Sequence, residues 1–389
     1  MRRGMGSARC AVCICAIAAA VSVGASQSDA DRDRVRAAIR RLEDVLPHAS
    51  DRAAALYLLA NAYTGLGDTA RARDLASECL AQDEGFEPTD AAAVAAFRAS
   101  HPPVHRAHVA FTVAQNDLIP EGIAYDSKAR VFYLGSELHH NIVRTDSQGR
   151  FVTFVPAERD GLPPVGGLRV DPTDQTVWAA TDSAEFVHID RSGRLLGRFH
   201  TNDPGRHILN DLVVSQRHLV YVTDTAANVV FHVDPATGSF ESLTFHRPLF
   251  APNGITFEPG ERRLLVADSL GVIAFDVSSG QSHDIEHGPQ NTLAGIDGLY
   301  WYRGGLVGVQ YGTGAHRVMH WQLSPDAARV RSSDVLEYRT PLVDFPTTGA
   351  VVGDTFYFIA NTGIGNLQDG RIVDPAKLEP VHVGAVPLR

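Results

Sequence analysis

Glu121, Asn210, Asn253 and Asp297 occupy the same place in a repeating pattern, and together they offer two carboxylates and two amides. Each opens a short run of β-branched and aromatic residues: EGIAYD, NDLVVS, NGITFE and DGLYWY, with GGLRVD at Gly166 and TGAVVG at Thr348 completing the series. Calcium takes roughly 6 to 8 hard oxygen ligands, and two carboxylates balance its charge while waters and a substrate fill the remaining places. Calcium is therefore the expected cofactor, with another oxygen-seeking divalent cation as the alternative. Zinc, heme and iron–sulfur groups want nitrogen or sulfur donors, which this set lacks. Taken singly, Asn253-Gly254 and Asp297-Gly298 read as turn dipeptides and Glu121 as a solvated loop acid. Their concurrence in one register is what makes them a candidate site.

The elements that must position them follow from the spacing. The six starts lie 45, 44, 43, 44 and 51 residues apart. A second ruler agrees, because the turn aspartates Asp146, Asp190, Asp234 and Asp276 recur at 44, 44 and 42 residues. That is the length of a four-stranded propeller blade. Residues 104–389 are expected to form an all-β, six-bladed β-propeller, whose last, irregular blade has its outer strand completed by another part of the chain. A β-sandwich does not hold so constant a period. In a propeller the first strand of each blade lines the central channel, so the six starts form a ring at its mouth.

Residues 26–103 have a different texture. Val35, Ile39, Leu42, Val45 and Leu46 fall on one helical face that Pro47 ends. The stretch LYLLANAYTGLGDTARARDLASECL carries Leu56, Leu59, Ala60, Tyr63, Gly67, Ala72 and Ala76 at tetratricopeptide spacing. One repeat cannot stand as a solenoid, so this helical extension is expected to pack on its neighbour, with a partner-binding role as the alternative. Further upstream, a basic opening, an apolar run from Cys10 to Val23 and small residues to Ala25 read as a signal peptide over 1–25. A periplasmic or secreted protein with no membrane attachment after cleavage is expected. Cleavage would leave Cys79 as the only cysteine, so no internal disulfide is expected. The 389 residues, 44% hydrophobic and 21% charged, have ordinary globular composition. The net charge of -10 becomes more negative once Arg2, Arg3 and Arg9 are removed, which argues against nucleic-acid binding. Nucleophile-elbow, Walker-type, His-Glu-x-x-His and complete Gly-x-Gly-x-x-Gly motifs are absent from the sequence, so nucleotide-dependent and zinc-protease chemistries drop out.

With PEGIAYD, LNDLVVS, PNGITFEPGERRLLVADS and GIDGLYW in view, residues from about Val104 to Arg389 resemble the senescence-marker-protein/gluconolactonase family and its paraoxonase and diisopropyl-fluorophosphatase relatives. The resemblance implies one catalytic calcium bound by Glu121, Asn253 and Asp297. Asn210 is then a fourth ligand, as in the phosphotriesterase-type relatives, or a catalytic substrate contact, as in the gluconolactonases. The pattern departs at Ile208, where gluconolactonase-type members carry arginine, and at Gly166-Gly167, where paraoxonases carry a nearby histidine. Asp211 matches a residue that helps bind a structural calcium in the paraoxonase relatives.

The expected function is a calcium-dependent hydrolase of lactones or related small-molecule esters, with Asp297 as general base or nucleophile. The alternatives are a phosphotriesterase-like activity, or a non-catalytic calcium-stabilised binding propeller with a partner-binding helical prefix. Loops around Pro163 and His287 are expected over the channel. His207 and His316 are candidates to reach its mouth, whereas His139-His140, read on a strand, would point to opposite faces.

Overall fold

A computed structural model describes residues 29–83, 85–88, 91–157, 161–314, 316–368 and 370–389. The export segment expected over 1–25 lies outside these residues.

The repeat builds its blades by short turns. In the first four blades an aspartate closes the turn from third to fourth strand: Asp146, Asp190, Asp234 and Asp276 each accept a backbone N–H two residues on, from Gln148, Ser192, Ala236 and Ser278. Gly149, Gly193, Gly238 and Gly280 follow at φ between 72° and 87°, a region open to glycine. The result is six blades in a ring. Their inner strands are Pro120–Asp126, Val165–Val170, Leu209–Val214, Ile255–Phe257, Ile296–Tyr302 and Gly349–Val352. Each inner strand touches the next, and the last touches the first. In the sixth blade the outer strand is His108–Val113, from the start of the domain, paired antiparallel to Val381–Pro387. The two ends of the propeller are thus hydrogen-bonded into one sheet, which removes two exposed edges. Val104–His105 adds a fifth strand to the fifth blade.

The apolar core is divided into six layers, one between each pair of neighbouring blades. Blade-on-blade burial therefore holds the ring closed while the channel itself stays polar.

Among the described residues four α-helices precede the propeller: α1 (Asp29–Val45), α2 (Arg52–Leu66), α3 (Thr69–Gln82) and α4 (Ala91–Ser100). Val35, Ile39 and Leu42 of α1 are buried, and Pro47 sits in the turn after it. Asp51 and Asp68 cap α2 and α3 by accepting from Ala54 N and Arg71 N, and Gly67 at φ 82° separates the two helices. The core of this bundle is shared with the propeller: Phe250, Leu270 and Ala294 are buried among Leu42, Leu56 and Leu59. These three residues sit in loops at the end where the inner strands begin. The helices therefore dock on the mouth side of the fourth and fifth blades. α2 is buried along most of its length, so that face is already occupied and is not a free partner groove. No helix among the described residues is long and apolar enough to cross a membrane.

Candidate metal and active site

The side chains at the mouth are aimed by a backbone irregularity. Pairing between inner and second strands slips between Pro120 and Ile123, Val165 and Leu168, Leu209 and Leu212, and Ile296 and Leu299. Each slip spans the ring residue, so Glu121, Asn210 and Asp297 sit on bulges, devices that re-aim a side chain next to functional sites. The glycine after the ring residue has a steric cause. A Cβ on Gly122 would lie 2.1 Å from Gly166 O, and one on Gly254 would lie 2.2 Å from Asp297 O. Asn253-Gly254 and Asp297-Gly298 are not left-handed turns, since neither glycine has a positive φ. They are places where adjacent inner strands come within backbone contact. Gly254→Ala is expected to destabilise the protein by about 3 kcal/mol or more, because the clash is with backbone rather than a movable side chain. Thermal melting checks this.

The ring closes through hydrogen bonds. Thr223 Oγ1 donates to Asn253 O at 2.8 Å, and Thr347 and Thr348 Oγ1 donate to Glu121 O at 2.9 and 2.5 Å. Glu121, Asn210, Asn253 and Asp297 are only 6%, 3%, 3% and 1% exposed. At these exposures, solvent cannot stabilise carboxylate charge.

Two acids missing from the sequence-based set join them. Glu137 and Asp182 follow the second strands Val131–Ser136 and Val177–Thr181, one blade apart. The same repeat ruler, moved to the end of the second strand, finds them, since Thr225, Ser269, Tyr311 and Ala360 hold that place in the other blades. Burial raises the Glu121 carboxyl to about 7, with the charge on Asp182 adding to it and a hydrogen bond to Glu137 opposing it. Burial, Glu121 and Asp182 push Glu137 well up. Burial, Glu121 and Asp211 push Asp297 well up, and the Asn253 amide favours its charged form. Among the described residues neither Asp297 oxygen has a hydrogen-bond partner of ordinary geometry, nor has Asn210 Nδ2. Among the described residues no lysine, arginine or histidine makes an ion pair with Glu121, Glu137 or Asp297. Crowded, buried, uncompensated carboxylates beside amide groups are a donor set that fits a hard divalent cation.

The neighbouring candidates have partners of their own. Asp211 takes the place of the small residue after Asn210, and its Oδ2 accepts from Arg169 Nη2 at 2.6 Å while its Oδ1 accepts from Leu212 N. Arg169 lies 4.9 Å from the centre of the Tyr300 ring. The Asp211 carboxylate is thus engaged inside the channel by a cation of the chain. Both ring nitrogens of His207 face acceptors, with Nδ1 2.6 Å from Asp224 Oδ2 and Nε2 2.8 Å from Asp203 O. His316 packs edge-on against Tyr311 and Phe345, and burial lowers its pKa. His139 and His140 lie in a loop rather than on a strand, with His139 Nε2 3.1 Å from Asp117 Oδ2. The loop around His287 is held by the helices, and residues 158–160 before Pro163 fall outside the described residues.

No family model and no curated protein matches the chain. Solved structures do. A gluconolactonase from Xanthomonas campestris is 16% identical, with a TM-score of 0.53 over 74% of this chain and 95% of its own. A PQQ-bound aldose sugar dehydrogenase from Streptomyces coelicolor is 15% identical, with a TM-score of 0.51 over 73% of this chain and 99% of its own. A catalytically inactive virginiamycin B lyase variant from Staphylococcus aureus is 11% identical, with a TM-score of 0.50 over 73% and 99%. One architecture thus carries a lactonase, a dehydrogenase and a lyase, and at these identities the likeness is one of fold: a gluconolactonase-like six-bladed β-propeller.

Proposed function

We propose that the chain is a calcium-dependent hydrolase of lactones or related esters. The observation that carries this reading is the meeting of Glu121, Glu137 and Asp297, buried and without a cationic side chain against them among the described residues, at the mouth of the channel. Glu121, Asn253 and Asp297 would hold the cation, with Asn210 either completing the set or holding a substrate oxygen through Nδ2. Bound calcium supplies charge that polarises a carbonyl or phosphoryl oxygen.

Asp297 is the group assigned to take the proton from the attacking water, or to attack itself. Burial beside Glu121 and Asp211 pushes the Asp297 carboxyl up in the metal-free chain, and a cation held there would favour its ionised, base-competent form. Glu137 shares a hydrogen bond with Glu121 that favours the charge on Glu121 and the proton on Glu137. Ile208 is buried, and Arg206 is exposed, so no cation stands two residues before Asn210 to bind a polyol.

The test is turnover of sugar lactones, aliphatic lactones, aryl esters and phosphotriesters with and without a chelator. Turnover abolished by chelation and restored by calcium is expected, with aliphatic lactones ahead of sugar lactones. Calcium that raises the melting temperature without any turnover would instead support a binding propeller.

A further inference from the structure

The loop that leads into Asp297 is tied to the helices. Asp51, buried at the start of α2, uses Oδ1 to accept from Ala54 N at 2.8 Å and cap its own helix. Its Oδ2 accepts from Thr292 Oγ1 at 2.6 Å and lies 3.0 Å from His287 Nε2. Thr292 Oγ1 in turn accepts from Ala294 N at 3.0 Å. Gln310 Nε2 donates to Thr292 O and Ala294 O at 3.0 and 2.7 Å. Gly295, at φ 64°, then delivers the chain to Ile296 and Asp297. One carboxylate therefore ends a helix and organises the three residues before the bulge on which Asp297 sits. A second tie runs parallel to it, as Asp83 Oδ1 accepts from Gln290 N at 3.1 Å.

We propose that Asp51 is a positioning residue of the mouth site: acting through Thr292, the helical prefix sets the backbone that presents Asp297. The consequence for metal binding rests on the function proposed above, and the positioning itself does not. A buried charge-assisted pair of this kind orders its neighbours, because leaving the Thr292 hydroxyl or the Asp51 carboxylate without its partner is costly.

The experiment compares the full chain with Asp51→Asn, Thr292→Val and a control, Asp68→Asn, which alters the cap of α3 away from the loop. Hydrogen exchange of residues 293–299 and calcium affinity by calorimetry are read for each, with circular dichroism confirming that the chain is folded. Exchange faster by about tenfold or more in the first two variants, unchanged in the control, is expected. Calcium binding should weaken by on the order of tenfold in the same two variants. Native exchange at 293–299 in folded Asp51→Asn and Thr292→Val overturns the positioning role. Faster exchange with undiminished calcium binding overturns the link from prefix to metal. An unaltered chain that binds no calcium overturns the metal reading, and exchange still decides the positioning role.

Discussion

With Asp297 replaced by asparagine, hydrolysis is expected to fall by about a thousandfold or more, an effect that follows from removing the assigned base and one of the two carboxylates assigned to hold the cation. Calcium affinity should fall with it, by roughly a hundredfold. The shape of the side chain is nearly kept, so the fold is not the casualty. In the metal-free chain the melting temperature should hold or rise, because a buried acid crowded by Glu121 and Asp211 gives way to a neutral amide. Activity retained in Asp297→Asn, measured on the best ester of the panel at saturating calcium, would remove Asp297 from the chemistry.

The second large effect is on stability. In chelator, the carboxyl of Glu121 sits at about 7 against an ordinary 4.5. Its folded pKa is raised, so the folded chain holds the proton more tightly than the unfolded one. The stability this gives is complete below about pH 4.5 and is lost as pH rises through about 7. The size is on the order of 3 kcal/mol for this group alone. Glu137 and Asp297 act in the same direction, each raised first by burial. The metal-free melting temperature is therefore expected to fall between pH 5 and pH 8, and the fall should shrink in Glu121→Gln. Calcium at about a hundred times its dissociation constant should add about 3 kcal/mol near neutral pH, worth roughly 4 to 5 °C in a domain of this size. The increment should grow with pH as the acids ionise. Calorimetric melts with chelator and with calcium across this range check both, and a metal-free profile flat with pH would contradict the crowding of the acids.

Much of the fold was legible in the sequence because each blade is a local object. Asp146, Asp190, Asp234 and Asp276 mark turns made by their own neighbours, and those contacts span only a few residues. The ring residues were legible for a related reason: Glu121, Asn210, Asn253 and Asp297 share one position in a repeat that must stack around an axis. A glycine follows three of them, and at Asn253 and Asp297 it reads as turn chemistry in the sequence, yet its cause is the backbone of the next blade's strand. Glu137 and Asp182 escaped notice because the second strand was not used as a ruler. The partners of the two histidine candidates were not legible, since His207 meets Asp224 and His316 an aromatic cluster, partners set by other strands and loops.

Residue type and period alone determined a six-bladed ring with oxygen donors in register at its mouth, because strand length and turn chemistry repeat locally. Only the tertiary structure decided that these donors are buried together, that Asp211 belongs to Arg169, and that the helices close on the loop before Asp297. Those outcomes depend on dielectric, charge and hydrogen bonds between side chains far apart in the chain, and no spacing in the sequence encodes which far group will arrive first.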